Sequence, residues 1–107
     1  MVLGVLHQSR HHWRPWAGAV FGQIQRSSLS VQLNIAEGWS FGASPASTRH
    51  LTIAFGSVVE TIDLLDVMAE AEIVPVSELI GLKANATQCQ RLLVGLLKRR
   101  RPFKPAT

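Results

Sequence analysis

The sequence predicts an all-α fold, an antiparallel (up-down) four-helix bundle with a short or partial first helix. Three observations predict it: apolar residues recur at spacings of three and four, no segment alternates as a strand does, and Gly, Pro and Ser cluster between the periodic segments. With 107 residues, 47% of them apolar, the chain is long enough for one hydrophobic core. We therefore expect a single helical-bundle domain over 1–107.

The first two helices are predicted at about 2–12 and 19–38, separated by Pro15, which disfavours helix at the residue before it. The second helix has a core-facing stripe with spacings of three and four: Ile24, Ser28, Val31, Ile35 and Gly38. A neighbouring stripe is polar but mostly uncharged, which indicates a packed or paired face: Gln23, Ser27, Ser30, Asn34 and Glu37. Gly38 is predicted to cap this helix, since glycine adopts the left-handed conformation freely.

The third helix is predicted at about 45–73, with Ser44 as N-cap and Pro45 in the first turn. Its apolar stripe comprises Leu51, Phe55, Val58, Ile62, Leu65 and Ala69. Gly56 lies inside it at a cost of about 1 kcal/mol relative to alanine, which favours a packing role such as close helix approach.

The fourth helix is predicted at about 77–100, after Pro75, and is followed by a basic tail, 98–107. Its stripe comprises Leu79, Leu82, Ala86, Cys89, Leu93 and Leu96. Cys89 is the one cysteine, so it forms no internal disulfide, and we interpret it as a buried apolar residue in a reducing compartment. The sequence shows neither a signal peptide nor the ~18 uncharged residues of a membrane span, so we expect a cytoplasmic protein without a membrane partner.

Charge is unevenly distributed. Residues 60–78 hold six of the seven acids and no Lys or Arg, a net −6, whereas the rest holds all eleven Lys and Arg and one acid, a net +10. The most concentrated positive potential is the basic end of the chain: Lys98, Arg99, Arg100, Arg101 and Lys104. Such a run attracts phosphates, and Arg91 extends it. Two alternatives are complementation of the helix dipole and pairing with residues 60–78 of a neighbouring subunit.

Two segments carry a family resemblance, QIQRSSLSVQLNIAEG over 23–38 and LTIAFGSVVE over 51–60. The chain resembles, over about 23–97, bacterial four-helix-bundle proteins encoded in intervening sequences of large-subunit ribosomal RNA genes, often labelled ribosomal-protein-like. Members usually have a longer first helix than this chain. Relatives include the accessory protein of diversity-generating retroelements, a basic pentamer that binds a reverse transcriptase and nucleic acid. The resemblance therefore implies a homo-oligomer, a pentamer by that analogy, with RNA or DNA and a reverse transcriptase as partners.

The polar residues of the two motifs, Ser30, Asn34, Glu37, Ser57 and Glu60, have two interpretations. We favour a structural or assembly network that fixes helix register, since hydroxyls and amides suit close-packed helices. The alternative makes Glu37 and Glu60 a general acid/base pair, but no nucleophile–base constellation accompanies them.

Other candidate residues point less clearly to function. His7 and His11 have helical spacing for sharing a metal, but a zinc site needs three or four ligands, so exposed histidines are expected instead. Trp39 and Phe41 suit base stacking, or packing against a neighbouring helix or subunit, which we favour. The chain has no phosphate-binding loop, dinucleotide fingerprint or catalytic triad, so we expect no enzyme, cofactor or metal.

These observations lead to one hypothesis and one alternative. The hypothesis is a non-catalytic oligomeric bundle that binds nucleic acid, in particular structured RNA, through its basic C-terminal end, as an accessory to a reverse transcriptase. The alternative is a protein-interaction scaffold whose charge asymmetry serves subunit assembly.

Overall fold

The structure consists of one short and three long α-helices. The computed structural model describes residues 1–100, apart from the Arg100 side chain. The helices are α1 (Val2–His12), α2 (Gly18–Ser40), α3 (Pro45–Glu70) and α4 (Val76–Arg100), with a 3-10 turn at Pro15–Ala17. No strand occurs in residues 1–100, so the predicted all-α bundle with a short first helix is confirmed.

The three long helices pack as antiparallel neighbours. The Ser47 hydroxyl donates to the Gly38 carbonyl oxygen across α2 and α3, and the Lys83 Nζ lies 2.7 Å from the Asp66 carboxylate across α3 and α4. The α2–α3 loop and the C-terminus of α4 consequently share one end of the bundle. We call it the basic end, because Arg49, Lys98 and Arg99 lie there.

The short helix α1 covers only half of the face between α2 and α4. His12 Nε2 lies 2.9 Å from the Glu78 carboxylate, and Gly4 packs directly on the Leu82 side chain. The N-terminal ammonium of Met1 lies close enough to Cys89 to lower the pKa of its thiol, although burial has the larger effect and raises it. Glu78, Leu82 and Cys89 lie on one stripe of α4, and Cys89 is about midway along the helix.

The core has two parts that meet at Met1. One lies beneath α1 and includes Val5, Phe21, Leu65 and Leu82, and the other contains Val31, Leu51, Ala54, Val58 and Leu93. The stripes predicted for α2, α3 and α4 are buried or half-buried throughout. Cys89 is half-buried rather than fully buried. The predicted start of α3 is also confirmed, since the Ser44 hydroxyl accepts from the Ser47 amide at 3.2 Å.

The prediction that Gly38 caps α2 is wrong, since the helix continues to Ser40. The left-handed residue is Gly42, with φ +62°, whose amide donates to the Trp39 carbonyl oxygen at 3.2 Å. A Cβ on Gly38 would lie 3.0 Å from the Leu51 side chain. Gly38 therefore allows close approach of α2 and α3.

The third helix ends at Glu70, not at residue 73. Glu72 is left-handed with φ 55°, and its amide donates to Ala69 O at 3.1 Å. The Ile73 amide donates to Met68 O at 2.9 Å, and both side chains are buried. This is a Schellman motif with glutamate where glycine is usual, a local geometry that apolar periodicity does not predict.

Gly56 has no close neighbour, so the predicted packing role is wrong within this chain: it is exposed, and an added Cβ would meet nothing within 4 Å. We expect Gly56→Ala to raise the free energy of unfolding by about 0.5–1 kcal/mol, through helix propensity alone. Thermal unfolding followed by circular dichroism measures this. Alanine at the equally exposed helical residue Gly81 is the matched control and should give a similar gain, and loss of stability in Gly56→Ala alone would contradict the assignment.

Candidate functional site

Uncharged side chains connect α2 to α3 through a row of hydrogen bonds. Ser27 Oγ lies 2.9 Å from Thr61 Oγ1, and Ser30 Oγ lies 2.8 Å from Ser57 Oγ. Nearer the basic end, Asn34 Oδ1 lies 3.0 Å from His50 Nδ1. We call this set, with Glu37, the polar ladder: Ser27, Ser30, Asn34, Glu37, His50, Ser57 and Thr61. Its hydroxyls satisfy one another where the two helices meet, which fixes their register.

His50 is the branching point of the polar ladder. Its Nδ1 lies 3.0 Å from Asn34 Oδ1 and 3.3 Å from Glu37 Oε2, and because both partners are acceptors we assign the proton to Nδ1. The ring stacks on Phe41 with centroids 5.4 Å apart. In residues 1–100 no hydroxyl or thiol hydrogen-bonds to His50, so this arrangement orients a ring without activating a nucleophile.

Glu60 stands apart from the other residues of the two motifs. It is exposed and makes no hydrogen bond or ion pair with the described part of the chain, whereas Glu37 lies beside His50. A rise of about 1.5 Å per residue separates His50 from Glu60 by about 15 Å along α3. The two carboxylates therefore do not converge on one reacting atom, and the geometry gives no support to a general acid/base pair.

The cations predicted to bind nucleic acid lie on two sides of α4. Arg91 and Lys98 are exposed and seven residues apart, so they share a face, and Arg91 borders a shallow depression along the helix. Arg99 is exposed on the stripe that α1 follows further down. The Arg100 side chain, Arg101 and Lys104 lie outside the described residues.

The basic end has little negative charge to balance it. After Glu78 no acid occurs in the sequence, and Glu37, which contacts His50, is the one acid before residue 60. Among the described residues, Arg91, Lys98 and Arg99 form no ion pair. Their charges therefore remain available to an anionic partner.

The acidic segment, residues 60–78, lies toward the opposite half of the bundle. Two of its acids have partners, Asp66 with Lys83 and Glu78 with His12. Glu60, Asp63 and Glu70 are exposed along α3, where Val59 and Val67 are also exposed. This face of α3 combines negative charge with apolar surface.

Trp39 is 74% exposed and Phe41 51% exposed. Phe41 packs on His50, whereas the predicted packing of Trp39 on a neighbouring helix does not occur within the described chain. The His7 and His11 rings lie 4.3 Å apart between centroids and both residues are exposed. In residues 1–100 no group of three or more His, Cys, Asp or Glu side chains is arranged to hold a metal ion.

Comparison with known proteins supports one assignment. A family model described as "23S rRNA-intervening sequence protein" matches residues 19–95. No curated protein and no solved structure gives a significant match to the sequence. None of the helices within residues 1–100 has the length and hydropathy needed to cross a membrane.

Proposed function

Starting from the fact that the chain belongs to the 23S rRNA-intervening sequence protein family, we propose that it is a non-catalytic helical bundle that binds nucleic acid, in particular structured RNA, at its basic end. A cytoplasmic location, assembly as a homo-oligomer and a reverse transcriptase as partner belong to the same proposal. The observation that supports it is the set of exposed cations without carboxylate partners among the described residues: Arg49, Arg91, Lys98 and Arg99.

The geometry suits phosphate contact. Lys83 on α4 faces Asp66 on α3. Lys98 lies as many residues after Lys83 as Leu51 lies before Asp66, and each residue advances a helix by about 1.5 Å. Lys98 and Leu51 therefore lie at about the same height along the antiparallel pair. Lys98 is therefore level with the first turns of α3, where Arg49 is exposed. Cations from two helices at one end give a local positive potential, and the resulting affinity should depend steeply on salt.

We expect Lys98→Gln/Arg99→Gln/Arg101→Gln to weaken RNA binding at low salt by at least tenfold. Fluorescence anisotropy with a labelled stem-loop RNA, measured over a salt series, should also show a slope of log Kd against log salt that is smaller by about one for each lost phosphate contact. The matched control is Arg10→Gln/Arg14→Gln/Arg26→Gln, which removes three exposed cations from the opposite half of the bundle and should leave binding nearly unchanged. Equal loss in both variants would indicate only a net-charge effect and would overturn the proposed site.

A second function, subunit assembly through charge asymmetry, is favoured by the exposed Val59 and Val67 between the unpaired acids of α3. In that case the acidic face of one copy binds the basic end of the next. High salt should then dissociate the oligomer in light scattering. The purified protein should also have the ratio of absorbance at 260 nm to absorbance at 280 nm that is expected of a protein without bound nucleic acid.

A further inference from the structure

The part of the face between α2 and α4 that α1 leaves uncovered carries exposed and half-buried apolar side chains on both helices. On α4 the stripe that contacts α1 at Glu78 and Leu82, and that holds Cys89 within the electrostatic influence of the Met1 ammonium, continues with the same spacing to Leu92, Leu96 and Arg99. Leu92 is 60% exposed, whereas the next residue, Leu93, is 1% exposed. No helix within residues 1–100 covers this continuation.

The α2 side of this face shows the same change. Phe21, Ser28, Ile35 and Trp39 lie on one stripe by their spacings of seven, seven and four. Phe21 is buried in the core beneath α1, but Ile35 is only half-buried and Trp39 is 74% exposed. We define the open cleft as Gln32, Ile35 and Trp39 of α2 with Cys89, Leu92, Leu96 and Arg99 of α4.

We propose that the open cleft binds an amphipathic helix of a protein partner, lying in line with α1 and carrying acidic residues in its first turn. Two observations identify this occupant. The cleft continues an existing helix–helix interface, in which α1 shows that a helix fits between α2 and α4. Its outer end is bordered by the exposed cation Arg99, which forms no ion pair with described residues.

The direction and length of the bound helix follow from α1. A helix in the same direction places its N-terminus at the basic end, where carboxylates in its first turn face Arg99 and also complement its own dipole. From Cys89 to Arg99 the cleft is about 15 Å long, or about three turns. Heptad-like apolar stripes on both walls fit a helix with apolar residues at spacings of three and four, a known mode of helix-in-groove recognition.

The test uses the full chain with Trp13→Phe/Trp16→Phe, so that Trp39 is the one fluorophore. The ligand is a lactam-bridged helical peptide of about 11 residues, or three turns, with Leu at spacings of three and four and Glu in its first turn, since short unbridged helices are marginal in water. A second peptide carries Lys in the first turn. We expect the Glu peptide to shift Trp39 emission to the blue and to bind at least tenfold more tightly than the Lys peptide.

Variants locate the site. Leu92→Glu should weaken binding of the Glu peptide at least tenfold. Ile80→Glu, a change at a similarly exposed residue of α4 outside the cleft, should leave that binding unchanged. Arg99→Glu should reverse the preference between the two peptides, and circular dichroism confirms that each variant is folded. An unchanged emission maximum, equal effects of Leu92→Glu and Ile80→Glu, or an unreversed preference would each overturn the proposal.

Other occupants give different results in the same series. Displacement of the Glu peptide by a single-stranded oligonucleotide, with quenching of Trp39, would assign the cleft to bases and overturn the helix proposal. A fall in mass in light scattering on Leu92→Glu without peptide would assign it to a second copy and overturn it too. The nucleic-acid proposal is tested separately, because Leu92→Glu leaves Arg91, Lys98 and Arg101 in place.

Discussion

Truncation of Leu93 to alanine is expected to lower the free energy of unfolding by about 2–5 kcal/mol. Leu93 is 1% exposed and is the α4 member of the core formed with Val31, Leu51, Ala54 and Val58. Its removal leaves a cavity that the surrounding side chains fill only in part. Because a domain of this size is stable by only about 5–15 kcal/mol, the loss is a large fraction of the total.

The neighbouring residue is the matched control. Leu92→Ala makes the same chemical change at an adjacent helical position where the side chain is 60% exposed, so it should change stability by less than about 0.5 kcal/mol. Urea unfolding of both variants measures the difference in the free energy of unfolding. The difference appears as a shift in the urea concentration at the midpoint, while the dependence of the free energy on urea concentration stays the same. Similar losses in the two variants would show that Leu92 is also buried in solution, either by a second copy or by another covering segment.

Replacement of Thr61 by valine is expected to cost about 1–3 kcal/mol, although it preserves side-chain shape. Thr61 is fully buried, and its hydroxyl lies 2.9 Å from that of Ser27 and donates to the Ser57 carbonyl oxygen at 2.8 Å. Valine leaves Ser27 Oγ with only the Ile24 carbonyl oxygen as a partner, at 3.2 Å. The free energy of unfolding falls because the buried Ser27 hydroxyl then has one hydrogen bond fewer.

A double-mutant cycle separates this hydrogen bond from general packing. Removing both hydroxyls in Ser27→Ala/Thr61→Val should cost less than the sum of the two single changes, by about 0.5–1.5 kcal/mol, because each single change already removes the hydrogen bond between them. Urea unfolding supplies the four free energies. Strict additivity would mean that the two hydroxyls do not interact, and that the polar ladder contributes little to pairing of α2 with α3.

The sequence predicted the helices because apolar spacing reports which side of a helix is buried. Apolar spacing does not show which structural role each glycine has. Gly38 lets Leu51 approach closely, Gly56 faces open space, and Gly42 adopts the positive φ of the turn after α2. Those differences depend on what a distant segment places opposite each residue. The end of α3 was missed because Glu72 adopts a conformation more typical of glycine.

The polar ladder was predictable in part. The sequence predicts one network for the five polar residues of the two motifs: Ser30, Asn34, Glu37, Ser57 and Glu60. The structure joins the first four in a common row of polar contacts, whereas Glu60 is exposed and lies outside it. His50 and Thr61 were missed, although His50, Ser57 and Thr61 have spacings of seven and four. Helical spacing places residues on a face, but only tertiary packing shows that the face of α3 meets that of α2.

The half-length of α1 also gives the two ends of the molecule unequal resistance to local unfolding. Beneath α1 four helices share one set of apolar contacts, whereas the last turns of α2 and α4 are held by three helices. Segments with fewer contacts open at lower free energy than the whole domain. Lys98 and Arg99 therefore lie on the part of the bundle that opens at the lowest free energy. A partner that binds there must offset the conformational entropy lost as that part becomes ordered.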